Sequence, residues 1–191
     1  MRGFITTLAL LLPLIGCGPL SPSASLPYDA TLGAADPTRG AIFSTAYAFN
    51  NPGGLATPAI AARAAANVEF LAVSLPHDAR YGSSPTVNQQ MAAARREMHA
   101  ALGIVEGANP QLVVNGLYAA SRALAAGDNA AAERALAPAV FSNGGETLRR
   151  LAAMGPWPRT AEATAMAERE HLRIEQERIN SQPGGDSSGR N

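Results

Sequence analysis

Four side chains able to do acid–base chemistry or bind an anion occur together in one short stretch of the sequence. The stretch reads Pro76-His77-Asp78-Ala79-Arg80-Tyr81-Gly82 and lies between two segments with helical periodicity. Histidine and carboxylate groups exchange protons, and arginine pairs with anions, so these residue types can form a ligand loop. His77, Asp78, Arg80 and Tyr81 are therefore the candidate site. The alternative, which we favour, is a structural loop in which Asp78 and Arg80 satisfy nearby helix ends.

A second polar group, Arg95, Arg96 and His99, occupies one helical segment, with Glu97 beside it. We expect a solvated helix face there. The three histidines (His77, His99 and His171) are far apart, and there is no HExxH motif or Cys/His set. No G-x-S-x-G motif and no phosphate-binding glycine loop occurs. The sequence therefore predicts no catalytic, metal or cofactor site, and a protein without enzymatic activity is favoured.

Charge argues against nucleic acid as a partner. The formal net charge is +0, and every one of the 15 basic residues is arginine. Removal of Arg2 with a cleaved leader would take the formal charge from +0 to about −1. A nucleic-acid-binding domain normally has a strong excess of basic residues, because affinity comes largely from phosphate contacts.

Four pairs of a capping residue followed by proline stand in front of helical periodicity and predict four helix starts. The side-chain oxygen of the first residue can accept from an unpaired N–H of the first turn, and proline at the first helical position loses no hydrogen bond. Apolar residues recur at spacings of three and four behind these starts, and no stretch shows convincing strand alternation. The four pairs are Asp36-Pro37, Thr57-Pro58, Ser84-Pro85 and Asn109-Pro110.

The second half of the body is also predicted to be helical. Asp128 is a candidate N-cap, a short helix is expected over 146–154, and a long charged helix over 159–180. Within the last segment Ala165, Leu172 and Ile179 are seven residues apart, and Glu and Arg occur at helical pairing distances. The predicted fold is all-α, a compact bundle of five to seven short Ala-rich helices with a long charged C-terminal helix.

Within this body, residues 117–138 resemble one helix-turn-helix unit of the TPR-like class. Small residues occupy the surfaces that would face each other, Gly127-Asp128 provides the turn, and Pro138 ends the second helix. The resemblance covers about twenty residues and has no second copy at a 34-residue period. A single alanine-rich helical hairpin explains the same residues.

The N-terminus has the character of an export signal. Arg2 precedes an apolar run over 4–15, which is too short for a membrane-spanning helix of ~20 residues. The run ends in Leu14-Ile15-Gly16-Cys17, which resembles the lipobox of bacterial lipoproteins. That resemblance implies cleavage before Cys17 and lipid attachment to its sulfur. Cys17 is the only cysteine, so no intramolecular disulfide competes for it.

Two other interpretations of the leader stay open. One is ordinary secretory cleavage after Ser25, with Ser23 at the −3 position, and the other is an uncleaved leader with a buried cysteine. Under the lipoprotein interpretation, Gly18 replaces the aspartate that retains such proteins at the inner membrane in enterobacterial sorting. The resemblance then favours the periplasmic side of the outer membrane, or the cell surface.

Composition divides the chain into four parts. Residues 1–16 are the predicted signal peptide, 17–35 a lipidated cysteine and flexible tether rich in Pro, Ser, Gly and Ala, 36–180 the helical domain, and 181–191 a disordered tail. Some tether residues, namely Leu26, Tyr28 and Leu32, can alternatively pack on the domain.

Two functions of different class follow from these features. The first is a lipid-anchored, non-enzymatic helical module that binds or positions another envelope component, with the membrane and an envelope protein as partners. The second is an enzyme or small-ligand binder using the loop from His77 to Tyr81. We favour the first.

Overall fold

The structure is a computed structural model that describes residues 23–31 and 36–181. Within those ranges the chain forms seven α-helices, and its β-structure is limited to one isolated bridge between Ile104 and Phe141. The predicted all-α class and helix number are confirmed. The helices are α1 (Pro37–Asn50), α2 (Pro58–Ser74), α3 (Pro85–Leu102), α4 (Pro110–Ala125), α5 (Asn129–Ala135), α6 (Gly144–Ala152) and α7 (Pro158–Ser181).

All four predicted helix starts are confirmed, with proline in the first turn of α1, α2, α3 and α4. The side chains of Asp36, Thr57 and Asn109 each accept a hydrogen bond from a backbone N–H of the first turn. Such a cap contributes about 1 kcal/mol of helix stability. Ser84 does not cap α3 with its side chain, because its hydroxyl is used elsewhere.

Helix α2 forms the centre of the bundle and packs against α1, α3, α4 and α6. It is followed directly by a 3-10 turn, Leu75–His77, which contains Pro76. In the described part of the chain, Pro58–His77 is the one stretch long and apolar enough to cross a membrane, and 72% of its most apolar window is buried inside the protein. The apolarity of α2 is therefore explained by its central position in the core.

The long charged C-terminal helix is also confirmed, as α7, which packs against α1 and α3. Its first four turns bury Ala163, Ala167 and His171. Ile174 is the last residue of α7 that packs against the core. At ~1.5 Å per residue, the final two turns extend about 10 Å beyond Ile174.

Helices α4 and α5 pack against each other around a turn at Gly127, which has φ of +78°. Asp128 caps α5 by accepting from the backbone N–H of Ala131, as predicted. The predicted limits of the next helix are wrong by two residues at each end: α6 begins at Gly144 because Asn143 is its N-cap.

The segment 23–31 lies against the domain. Ser25 is hydrogen bonded to Gln111 on α4, and Asp29 forms an ion pair with Arg122 at 3.0 Å. Leu26 is partly buried against the core, as the alternative interpretation of the tether allows. Residues 1–22, with the leader and Cys17, and residues 32–35 and 182–191 lie outside the described ranges.

Candidate functional site

The loop from His77 to Tyr81 connects α2 to α3 beside the start of α1. The chain leaves α2 through the 3-10 turn Leu75–His77, which contains Pro76, and Asp78 ends this turn. Tyr81 and Gly82 donate backbone N–H groups to the carbonyl of Asp78, at 3.1 and 2.8 Å. The loop is therefore a compact structure held by its own hydrogen bonds.

Arg80 joins the loop to α1 by pairing with two carboxylates. Its Nε and Nη2 atoms donate to Asp78 at 3.1 and 2.9 Å, and its Nη1 atom pairs with Asp36. Asp36 is also the N-cap of α1, so one carboxylate serves both a helix end and an ion pair. Hydrogen bonds from Arg80 hold the pKa values of Asp36 and Asp78 below their usual range, although partial burial opposes this.

Tyr81 joins the same loop to α7. Its side chain is fully buried, and its hydroxyl is hydrogen bonded to Nδ1 of His171 at 2.5 Å. Burial raises the pKa of Tyr81 to about 12 and lowers that of His171. The His171 ring also meets the edge of Phe43 on α1, with ring centroids 5.2 Å apart. These three side chains therefore connect the loop, α7 and α1 to one another.

Ser84 and Glu170 form a further contact between the start of α3 and α7. The Ser84 hydroxyl donates to Glu170 at 2.5 Å, and Arg173 pairs with the same carboxylate. These bonds lower the pKa of Glu170 to about 2. The hydroxyl that the sequence assigned to capping α3 instead holds α7 in place.

The structure therefore brings two of the four predicted loop residues into contact with helices outside the loop. Arg80 pairs with Asp36 at the start of α1, and Tyr81 is hydrogen bonded to His171 on α7. Asp78 pairs with Arg80 inside the loop, and His77 is exposed at the surface. Of the two residues expected to satisfy helix ends, Arg80 pairs with Asp36, the N-cap of α1. Asp78, Arg80 and Tyr81 lie together, since the Arg80 guanidinium pairs with Asp78 and is 5.1 Å from the centre of the Tyr81 ring.

A different polar cluster, centred on a carboxylate that the sequence did not single out, lies between α2 and α3. Glu69 is 0% exposed in the middle of the apolar helix α2. Its Oε1 atom pairs with Nη2 of Arg95 at 2.8 Å, and its Oε2 atom contacts Nε2 of His99 at 2.7 Å. A buried carboxylate is tolerated only when it is paired and hydrogen bonded, and these two side chains supply that pairing.

The expectation of a solvated face for Arg95, Arg96 and His99 is therefore wrong for two of the three. Arg95 and His99 turn to the interior carboxylate, with side chains 28% and 16% exposed, whereas Arg96 is exposed. Glu97 is also engaged, since it accepts from the backbone N–H of Thr160 at 2.8 Å at the start of α7. The one sequence signal for Glu69 is that it is the only acidic residue in α2.

Arg95, Arg96 and His99 line a cavity of about 330 Å³ together with Ala100, Ile104, Glu106 and Gly107. The loop that forms its other wall is well fixed. Val105 donates its backbone N–H to Val140 at 2.9 Å, and Ser142 donates to Gly103 at 2.9 Å. Gly103 and Gly107 have φ of +70° and +73°, a conformation that glycine adopts without strain.

In residues 23–31 and 36–181, no group of three or more His, Cys, Asp or Glu side chains is placed to hold a metal ion. Protein-family models, curated proteins and solved structures were each compared with the chain, and none matches it.

Proposed function

We propose that the protein is a lipid-anchored helical module of the bacterial cell envelope that binds or positions another envelope component without catalysing a reaction. One observation supports the non-enzymatic part. Three of the four candidate loop residues are already engaged: Arg80 pairs with Asp36 at the start of α1 and with Asp78, and Tyr81 is hydrogen bonded to His171 on α7. The proposed localisation rests on the sequence Leu14-Ile15-Gly16-Cys17 and its resemblance to a lipobox.

The surface best suited to such a partner is the outer end of α7. Leu172 and Ile179 are 53% and 61% exposed, although both are large apolar residues. They are seven residues apart, which places them within about 20° of each other around the helix and about 10 Å apart along it. A single apolar strip of this spacing fits a helix–helix contact.

The charges beside this strip favour a helix of another protein as the occupant. Arg173 pairs with Glu177 at 2.5 Å, and Arg178 pairs with Glu175 at 3.0 Å, all within α7. Because these charges already balance one another, the strip presents no strong field of either sign. A partner helix with apolar residues at the same spacing can therefore approach without electrostatic repulsion.

Site-specific photocrosslinking in cells tests this proposal. A photoreactive residue is placed at position 172 or 179, and the matched control is Glu177, which is exposed on roughly the opposite side of α7. We expect one adduct of the same mass from positions 172 and 179, none from 177, and loss of the adduct from 179 when Leu172→Arg is added.

Three results would contradict the proposal. They are the absence of any adduct, equal adducts from position 177, and an adduct of twice the protein's own mass. The last result would indicate self-association through α7 in place of a second protein.

A further inference from the structure

We infer that the cavity lined by Arg95, Arg96 and His99 is a binding site for a small oxyanion, that is, a carboxylate or phosphate group. This site goes beyond the proposed partner surface, since it lies on α3 and the loop after it, and the outer end of α7 contributes no residue to it. It is also distinct from the loop of His77 to Tyr81.

The buried carboxylate of Glu69 holds in place two of the side chains that line this site, Arg95 and His99. The Nε and Nη2 atoms of Arg95 contact Glu69 at 2.8 to 3.0 Å, and so does Nε2 of His99 at 2.7 Å. Side chains held in this way lose little further conformational freedom when a ligand binds. The site is therefore preorganised by a group that does not itself line it.

Donors remain at the cavity after Glu69 is satisfied. An arginine has five N–H donors, and the Nη1 group of Arg95 has no hydrogen-bond partner among the described residues. The same is true of the whole guanidinium of Arg96. Two neighbouring guanidinium groups match the oxygen pairs of a carboxylate or phosphate.

Charge decides which kind of ligand fits. The carboxylate of Glu69 offsets the charge of Arg95, and the guanidinium of Arg96 is left without a paired anion. The cavity lies near the C-terminal end of α3, where the helix dipole disfavours an anion. That effect is smaller than a charge-assisted hydrogen bond from a guanidinium group, so attraction of the oxyanion prevails.

Glu106 sets a second requirement. It is exposed and lines the same cavity, so its carboxylate repels a bound oxyanion. It forms no ion pair with Arg96 among the described residues, so the Arg96 guanidinium can still bind the oxyanion. A volume of about 330 Å³ is at the small end of known ligand pockets. The site therefore fits a small molecule with one oxyanion group rather than a polyanion.

Titration of the full-length protein with sodium phosphate and, separately, sodium acetate at constant ionic strength tests the inference. The readout is the ring NMR signals of the histidines, because His99 is at the site while His77 and His171 are elsewhere. We expect saturable shifts of the His99 signals alone. The anion with the lower dissociation constant identifies the oxyanion class that the site prefers.

Three single substitutions of exposed residues accompany the titration, and each leaves the contacts of Glu69 intact. Arg96→Gln should weaken binding at least tenfold, and Glu106→Gln should strengthen it several-fold. Arg169→Gln is the matched control, since Arg169 is an exposed arginine on α7, and it should change nothing. The inference is overturned if neither anion gives a saturable His99 shift, if Arg96→Gln leaves the affinity unchanged, or if Arg169→Gln weakens binding equally.

Discussion

Removing both side chains that pair with Glu69 should destabilise the fold far more than removing an ion pair at the surface. The carboxylate is 0% exposed and has Arg95 and His99 as its hydrogen-bonded partners. The double variant Arg95→Ala/His99→Ala leaves this charge buried and without those partners. Breaking a buried pair in this way costs about 3–5 kcal/mol of the free energy of unfolding.

A third substitution separates the charge effect from loss of packing. In the double variant, Glu69→Gln removes the buried charge while it keeps the size of the side chain, so we expect recovery of about 2 kcal/mol or more. In the otherwise unchanged protein the same Glu69→Gln substitution should be destabilising, because it weakens two good contacts. The opposite signs in the two backgrounds are the signature of a charge that its partners stabilise.

Urea unfolding followed by far-ultraviolet circular dichroism measures these free energies. The control is Arg122→Ala, which removes the exposed ion pair with Asp29 and should cost less than about 1 kcal/mol. A double variant that loses no more stability than this control would contradict the prediction. The prediction is also refuted if Glu69→Gln gives no recovery in the double variant.

Three further predictions concern α7 and the loop that forms the cavity wall. Tyr81→Phe leaves the Nδ1 atom of His171 without its bonded hydroxyl, so urea unfolding should show a loss of about 1–3 kcal/mol. Burial lowers the pKa of His171 below its unfolded value of about 6.5. The free energy of unfolding should therefore fall as the pH drops from about 6.5 through the folded pKa, by at most ~1.4 kcal/mol per pH unit. His171→Gln should remove this slope when unfolding is measured against pH. Gly103→Ala should lower the unfolding temperature, because Gly103 has φ of +70° and an added Cβ would lie 2.8 Å from the Ser142 hydroxyl. The control is Gly155→Ala, whose added Cβ would meet no atom within 4 Å.

The helix starts could be predicted because each depends on neighbouring residues alone. A capping oxygen and a proline at the first helical position act within one turn, as Asp36, Thr57 and Asn109 show. Ser84 is the instructive exception. Its place before proline predicted the helix start correctly, but its hydroxyl is directed to Glu170, 86 residues away, to which it donates a hydrogen bond.

The polar clusters were harder to predict because their members are distant in sequence. Tyr81 and His171 are 90 residues apart, and Glu69 is 26 and 30 residues from Arg95 and His99. Helical periodicity indicates which face of α3 is polar, but it does not indicate which residue of α2 lies opposite. For that reason Arg95 and His99 were expected at a solvated face although they pair with a buried carboxylate.

The proposed attachment of the helical domain to a membrane by lipid depends on Cys17. Its most direct test is the intact mass of the protein purified from the membrane fraction of an exporting bacterium, beside that of Cys17→Ser. We expect the wild-type protein to begin at Cys17, to carry the added mass of acyl chains and to sediment with membranes. The variant should lack acyl mass and remain in the soluble fraction. A wild-type protein that is soluble and has no lipid mass would contradict the proposed attachment.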